Sequence, residues 1–405
     1  MAFTHPHLHF KAGNAVALLE NGVQFFPVLC EAFDQAKHSI HVEIYIFALD
    51  AAGTKILHHL KLAAQRGVKV RVMLDGFGSA QHAQQIQSDL HAVGAQCRIY
   101  HPEPKQFTFK SFDFKRLRRL HRKIIVVDSA LAFVGGINFE DDYLAHDPLR
   151  RITDPRFDYA VQLTGPIAAE AVHAQDLLWL QLNWRLLVRA PRTWRHLRFR
   201  HHRHRATLQP STGVVQAALV LRDNLRYRKS IEAAYLEGIE RAQHTIILAN
   251  AYFLPGHKLR HALIQAAKRG VSVKLLLQGK IEYHMQYHAT RWIYDQFLKA
   301  GIEIYEYLPS FLHAKVAVMD GVATVGSSNL DPFSLLLARE ANVLIDDAVF
   351  TQTLRQSLET AITHGSKVIE HSLYAHRPLL TRLTDGLAYM LLRIGVALTG
   401  KGGDY

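Results

Sequence analysis

His121 and Lys123 stand two residues apart in LHRKIIVVDSALAFVGGIN (residues 120–138), and His313 and Lys315 repeat the spacing in LHAKVAVMDGVATVGSSN (residues 312–329). Side chains two apart on an extended strand share a face, so each string presents an imidazole beside a fixed positive charge. Asn138 and Asn329, after the turns Gly135-Gly136 and Gly326-Ser327-Ser328, can return an amide to the same place. A cavity that receives two His, two Lys and two Asn suits a phosphoryl group. Lysines and amides neutralise the non-bridging oxygens and the charge that develops in the transition state. One neutral imidazole can attack phosphorus while the other, protonated, gives its proton to the departing alkoxide. The lysines supply the positive charge, so this chemistry calls for no metal and no other cofactor. A single histidine on an apolar strand is most often a core residue. Repetition of the whole string, 192 positions apart, argues for function.

The elements around the two strings repeat as well, which extends the pair to a domain duplication. AKHSIHVEIYIFALD (36–50) resembles AQHTIILANAYFLPG (242–256), AAQRGVKVRVMLDG (63–76) matches AAKRGVSVKLLLQG (266–279), and AVGAQCRIYHP (92–102) parallels KAGIEIYEYLP (299–309). Within each half an apolar, β-rich run (40–47, 246–253) precedes an amphipathic stretch (54–66, 258–269) that glycine ends, and a second buried-type strand follows (68–74, 271–277). Gly67 and Gly270 fall where a helix C-terminus wants a left-handed residue. Strand runs without polar alternation suit a sheet covered on both faces. The expected fold is therefore α/β: two tandem α-β-α sandwich domains about a pseudo-twofold axis, with one shared site. The expected domains are 1–178 and 211–372, joined by a basic and aromatic linker at 179–210 and followed by an amphipathic tail at 373–405.

The halves differ before the histidine. Eighteen residues (103–120, EPKQFTFKSFDFKRLRRL) separate Pro102 from His121, whereas three separate Pro309 from His313. The longer segment mixes Phe107, Phe109, Phe112 and Phe114 with Lys110, Lys115, Arg116, Arg118 and Arg119, and reads either as a solvated face or as an anion-binding or membrane-facing loop. Trp and Arg recur together in the linker, as a membrane interface or a nucleic-acid groove would use them. In the tail Leu380, Leu383, Leu387, Leu391, Ile394 and Leu398 recur at helical spacing, interrupted by Arg382 and Arg393. Such a helix can lie in an interface or pack on the protein.

With 405 residues, 49% apolar and 20% charged, the chain has the composition of a folded protein of two ordinary domains. A net charge of +13 attracts polyanions, and nucleic acid and an anionic membrane both qualify. Cys30 and Cys97, in apolar segments without metal-ligand spacing, read as buried free thiols. The alternating His5, His7 and His9 and the clustered His201, His202 and His204 lack the partners of a defined metal site. The N-terminus lacks a signal-peptide pattern, and no segment reaches the apolar length of a spanning helix. These features predict a protein of the cytoplasm, or one attached to a membrane surface from that side.

H-x-K-x4-D followed by a G-[GS]-x-N turn, twice in one chain, resembles the phospholipase D superfamily over nearly the whole chain. More closely, HRKIIVVDSALAFVGGIN, NAYFLPG, HAKVAVMD and TVGSSNLDPFSLLLAREANV are similar to the bacterial cardiolipin synthases, of the B type that lacks N-terminal membrane spans. The resemblance implies transphosphatidylation: a histidine takes the phosphatidyl group of phosphatidylglycerol, glycerol leaves, and a hydroxyl of a second lipid attacks the phosphohistidine. Phosphatidylglycerol and phosphatidylethanolamine are both open as the second lipid. It implies His121 as nucleophile and His313 as general acid then base. Lys123, Lys315, Asn138 and Asn329 would hold phosphate, and Asp128 and Asp320, the motif aspartates, would orient more than react. Glu340 matches a position where the family often has a glutamate orienting a histidine. Asp158 occupies a roughly comparable place in the first half, and Glu140 lies just beyond the first turn. Asp320 precedes Gly326 by five intervening residues and Asp128 precedes Gly135 by six, so the two turns should differ. A phosphodiesterase acting on nucleic acid is the alternative, because the same pocket cleaves any phosphodiester. Small family nucleases, however, carry one motif and dimerise. A non-catalytic scaffold is a third reading, opposed by intact histidines and lysines in both halves.

Overall fold

The computed structural model describes residues 8–103, 118–143, 154–182, 213–224 and 227–398. Most of the basic and aromatic segment at 103–120 and of the 179–210 linker therefore lies outside the described residues, as do His5, His7 and the histidines at 201, 202 and 204. The chain forms two compact units, one of His9–Asp141 with Ala160–Leu219, the other of Asp142–Tyr159 with Val220–Tyr405 and the short N-terminal piece Met1–Leu8.

In the first unit the strands are β1 (Lys11–Glu20), β2 (Ser39–Ile44), β3 (Lys69–Asp75), β4 (Gln96–Tyr100), β5 (Ile124–Val127), β6 (Leu131–Gly135), β7 (Tyr159–Thr164) and β8 (Val215–Arg222). They order as β8-β1-β7-β6-β5-β2-β3-β4. β2, β3 and β4 run parallel, and β5 turns back antiparallel on β2, followed by β6 and β7. Alternation along β3 explains the layers. Val70, Val72 and Leu74 enter a core with Ile56, Leu60, Phe25 and Phe33 of the helices Asn21–Gln35 and Ala51–Gln65. Met73 faces the other way, into a cluster with Leu178 and Trp179 of the helix Pro166–Gln181. The sheet is thus covered on both faces, as its unbroken apolar strands require.

The second unit repeats this plan with β9 (Thr245–Asn250), β10 (Ser272–Gln278), β11 (Glu303–Tyr307), β12 (Lys315–Met319), β13 (Val322–Gly326), β14 (Glu340–Asp346) and β15 (Ser366–Val368). Its order, β15-β11-β10-β9-β12-β13-β14, matches the first unit strand for strand from β11 to β14, with β9, β10 and β11 parallel and β12 antiparallel to β9. β15 adds an antiparallel edge beside β11. The helix ends follow the glycines read from sequence, while the Asp50 cap was not read there. The Ala51–Gln65 helix starts where the Asp50 carboxylate accepts from Gly53 N at 2.8 Å, and Gly67 and Gly270 take φ of 91° and 90° just past the matching helix ends.

The one-residue difference between the motifs lies in the hairpin after each aspartate. Val127 pairs with Leu131 across residues 128–130, whereas Met319 pairs with Val322 across Asp320 and Gly321. The longer loop places Asp128 and Ser129 both at positive φ, 51° and 59°. Cys30 and Cys97 are buried free thiols, and burial pushes the Cys97 thiol up to about 12. Among the described residues no helix is long and apolar enough to cross a membrane.

Candidate active site

Each motif enters its sheet as an extended approach to the strand beside the first parallel strand, so the histidine and lysine lie at the strand's start. Lys123, 1% exposed, donates from Nζ to the backbone carbonyl of His121 at 3.0 Å. Lys315, fully buried, does the same to the carbonyl of His313. The two-residue spacing therefore folds both lysines back along the face that carries the imidazole. The approach itself is fixed one residue earlier. Leu120 N donates to Asp75 Oδ2 at 2.7 Å, and Leu312 N to Gln278 Oε1 at 2.7 Å. Asp75 and Gln278 end equivalent strands, in LDG and LQG. The repeat alignment held that signal, and reading for chemistry alone passed over it.

In the first unit Asp75 also accepts from Phe77 N at 2.9 Å and Gly78 N at 3.0 Å, which makes the turn after β3. Burial raises its pKa, while these three N–H donors and the Arg119 guanidinium, 3.8 Å away, oppose the rise. The turn supports Tyr45: Ser79 Oγ donates to Tyr45 O at 2.9 Å, and a Cβ on Gly78 would sit 2.5 Å from that same carbonyl oxygen. Tyr45 in turn meets His121 edge-on, ring centroids 4.6 Å apart at 61°, with Lys123 Nζ 5.1 Å from the Tyr45 ring centroid. Asn138 donates from Nδ2 to Glu140 Oε1 at 3.1 Å. Here an aromatic wall and a backbone turn orient the imidazole.

In the second unit the orienting group is a carboxylate. The Asp158 Oδ2 lies 2.6 Å from His313 Nδ1 and 3.9 Å from Lys315 Nζ, with Asp158 3% exposed. Backbone pairing holds it there, for Phe157 N donates to Phe311 O at 2.9 Å and His313 N to Phe157 O at 2.8 Å, a parallel bridge. Lys315 is lowered to about 8: burial disfavours the ammonium, and Asp158 and Glu340 only partly restore it. Glu340, the other expected orienting acid, accepts from Ser327 Oγ at 2.5 Å, which ties it to the small-residue turn. Asn329 Oδ1 is buried and lacks a hydrogen-bond partner among the described residues. Its amide ends exchange by rotation about the terminal bond, so it can present either a donor or an acceptor to a ligand.

Asp128 and Asp320 are elsewhere. Each sits past the far end of its strand, about 16 Å along the chain from the motif lysine at ~3.3 Å per residue. Asp128 accepts three backbone N–H groups, from Lys37 (2.8 Å), His38 (2.7 Å) and Ser39 (2.8 Å). Asp320 does the same with Gln243 (2.7 Å), His244 (3.1 Å) and Thr245 (2.8 Å). Burial raises both carboxyls, but these donors outweigh it and hold them below the ordinary value. The geometry brings His and Lys of each motif together and gives the aspartate a clamp on the entry of the neighbouring strand.

The family described as "Cardiolipin synthase, PLD-like domain" matches residues 29–150 and 235–362, one match in each unit. Cardiolipin synthase B of Escherichia coli (strain K12) is 39% identical over 394 residues, 96% of this chain and 91% of that protein. Cardiolipin synthase B of Salmonella typhimurium (strain LT2) is 40% identical over 395 residues, with the same two shares. Among solved structures, the phosphatidylserine synthase of Haemophilus influenzae Rd KW20 superposes with a TM-score of 0.66 at 16% identity, covering 97% of each chain, a likeness of fold.

Proposed function

The chain belongs to the phospholipase D-like cardiolipin synthase family, and we propose on that premise that it joins phosphatidylglycerol and a second phospholipid, phosphatidylglycerol or phosphatidylethanolamine, by transferring a phosphatidyl group to a glycerol hydroxyl. Glycerol leaves when the donor is phosphatidylglycerol; with phosphatidylethanolamine, which has no headgroup hydroxyl, that lipid gives up its phosphatidyl group to phosphatidylglycerol and ethanolamine leaves. In this reading His121 attacks phosphorus, the bond from phosphorus to the glycerol oxygen breaks, and His313 gives that oxygen its proton. His313 then takes the proton of the incoming lipid hydroxyl as that oxygen displaces the histidine. Lys123, Lys315, Asn138 and Asn329 hold the phosphate oxygens, and Asp128 and Asp320 serve by positioning.

One observation carries the proposal: the contact between His313 Nδ1 and the Asp158 carboxylate. With Nδ1–H held by a carboxylate, Nε2 is the nitrogen left to exchange a proton with substrate, and the carboxylate stabilises the imidazolium that forms. The buried Lys315 beside it supplies the positive charge a phosphoryl group needs. An anionic phospholipid surface as the place of work, reached by peripheral attachment from the cytoplasmic face, agrees with the net charge of +13.

The test is direct. Purified protein given phosphatidylglycerol vesicles should release glycerol and form a doubly phosphatidylated glycerol, and His121→Ala and His313→Ala should each abolish both. Unchanged lipid together with cleavage of single-stranded DNA would replace this reading with the phosphodiesterase one.

A further inference from the structure

The tail helix Leu379–Val396 settles on the second unit by a stripe other than the one its leucines form. Asp385, Ala388, Leu392 and Val396 are its buried residues, and it packs against the helix His284–Trp292. That seating is specific. The Asp385 carboxylate, with no exposed surface, lies 2.8 Å from His288 Nδ1 and accepts from Arg377 Nη1 at 2.6 Å. Trp292 stacks on Tyr389 with centroids 6.4 Å apart, and Gly386 leaves the room its ring needs, since a Cβ there would sit 2.8 Å from it.

The leucine stripe is left facing outward. Leu380, Leu383, Leu387, Leu391, Ile394 and Leu398 are 76%, 69%, 53%, 50%, 49% and 70% exposed. At 3.6 residues per turn this stripe centres about 140° around the helix from the packed one, so no packed residue shields it. Arg382 is exposed and Arg393 half-buried, roughly 125–145° around from the stripe's centre, on the arc between the two stripes. The helices His284–Trp292, His371–Ala375 and Leu379–Val396 contain one carboxylate among them, the buried Asp385. A contiguous aliphatic face of this kind marks an interaction surface.

We propose that this stripe is the membrane-docking face of the protein, the helix lying in the plane of an anionic bilayer with its leucines among the acyl chains and Arg382 and Arg393 at the phosphates. Charge selects the occupant. A second copy seated on the same face would set arginine against arginine with no exposed acid on these helices to answer it, whereas anionic headgroups answer both. The proposal borrows from the phospholipid reading only the class of surface. It is tested on a lipid that the proposed reaction does not use, so the two can fail separately.

Full-length protein and the double variant Leu383→Glu/Leu387→Glu are co-sedimented with vesicles of phosphatidylserine and phosphatidylcholine, and with phosphatidylcholine alone. The wild type should bind the anionic vesicles, and the variant should lose about ten-fold or more of that binding while its unfolding temperature stays the same, because both positions are exposed. In a second measurement, Leu387→Cys carries an environment-sensitive fluorophore, Cys30 and Cys97 being buried. Its emission should shift to the blue on anionic vesicles, and the same label at exposed Glu359→Cys should not respond. Variant binding equal to wild type, no shift at position 387 on vesicle-bound protein, or a variant that changes only from dimer to monomer would each overturn the proposal, the last in favour of a second copy.

Discussion

Asp158 follows the first motif in sequence, yet its Oδ2 sits 2.6 Å from Nδ1 of His313, the histidine of the second. The carboxylate fixes one ring nitrogen as the donor, which decides where the proton chemistry of that imidazole takes place. Tyr45 stands against His121 in the other unit with an aromatic edge.

Asp158→Asn keeps the shape but removes the charge and permits the wrong tautomer. We expect kcat to fall by about 10²–10⁴ with KM nearly unchanged. The low-field proton resonance of a His313 Nδ1–H held by a carboxylate should be present in the wild type and absent in the variant. Full activity in the variant would remove Asp158 from the mechanism.

Lys315 has a folded-state value of about 8, lowered by burial. Its ammonium is therefore present below pH 8 and lost above it, while an unfolded lysine stays charged to about 10.4. Two effects of opposite sign follow: kcat/KM falls as pH rises through about 8, and stability rises with pH from about 8 to 10.4, where the unfolded chain holds the extra proton. Lys315→Arg should lower the rate but abolish the basic limb, because a guanidinium stays charged. Rate profiles between about pH 6 and pH 10 for both proteins decide it.

Asp128→Asn and Asp320→Asn should act on stability. Each leaves backbone N–H groups with a weaker acceptor, at a cost of about 1–2 kcal/mol in denaturant unfolding at neutral pH, with kcat within about a factor of two of wild type. Because the folded carboxyls titrate below their ordinary value, the advantage of the wild type is present above that value. It is lost as pH falls through the lower one, so the curves should converge in acid. A loss of kcat without a loss of stability would return these residues to the chemistry.

Gly78→Ala should disable the first unit's site from a distance. The added Cβ meets Tyr45 O at 2.5 Å, so Tyr45 must move and take its contact with His121 along. We expect about 1–3 kcal/mol of destabilisation and at least a ten-fold drop in kcat, roughly the outcome of overpacking a site that needs fixed geometry. Gly67→Ala is the control. Nothing lies within 4 Å of its Cβ, and its φ of 91° makes the cost purely conformational, so activity should persist.

The duplication, the strand pattern and the pairing of histidine with lysine were legible in the sequence because each is a local regularity written twice. The helix-ending glycines were legible for the same reason, since Gly67 and Gly270 answer a backbone demand that spacing alone reveals. Asp158 was noticed only as a rough counterpart of Glu340, and its partner could not be read, because 155 residues separate it from His313 and no periodicity links them. Asp75 and Gln278 align in the repeat, but their shared role did not show because one is an acid and the other an amide. What they share is a backbone N–H to hold, and that demand does not appear in residue type. The tail showed the converse: its leucine stripe was plain, but the stripe that seats the helix includes a buried aspartate, which hydrophobic periodicity does not count.

The parallel bridge of Phe157 with Leu312 also sets a schedule. A ribosome adding about 5–20 residues each second needs on the order of 8–30 s to go from Asp158 to His313. During that time the segment around Asp158 has been synthesised and its partner has not. The imidazole of the second motif thus receives its carboxylate only after most of the chain is made, so that proton-transfer group is completed late in the life of the nascent protein.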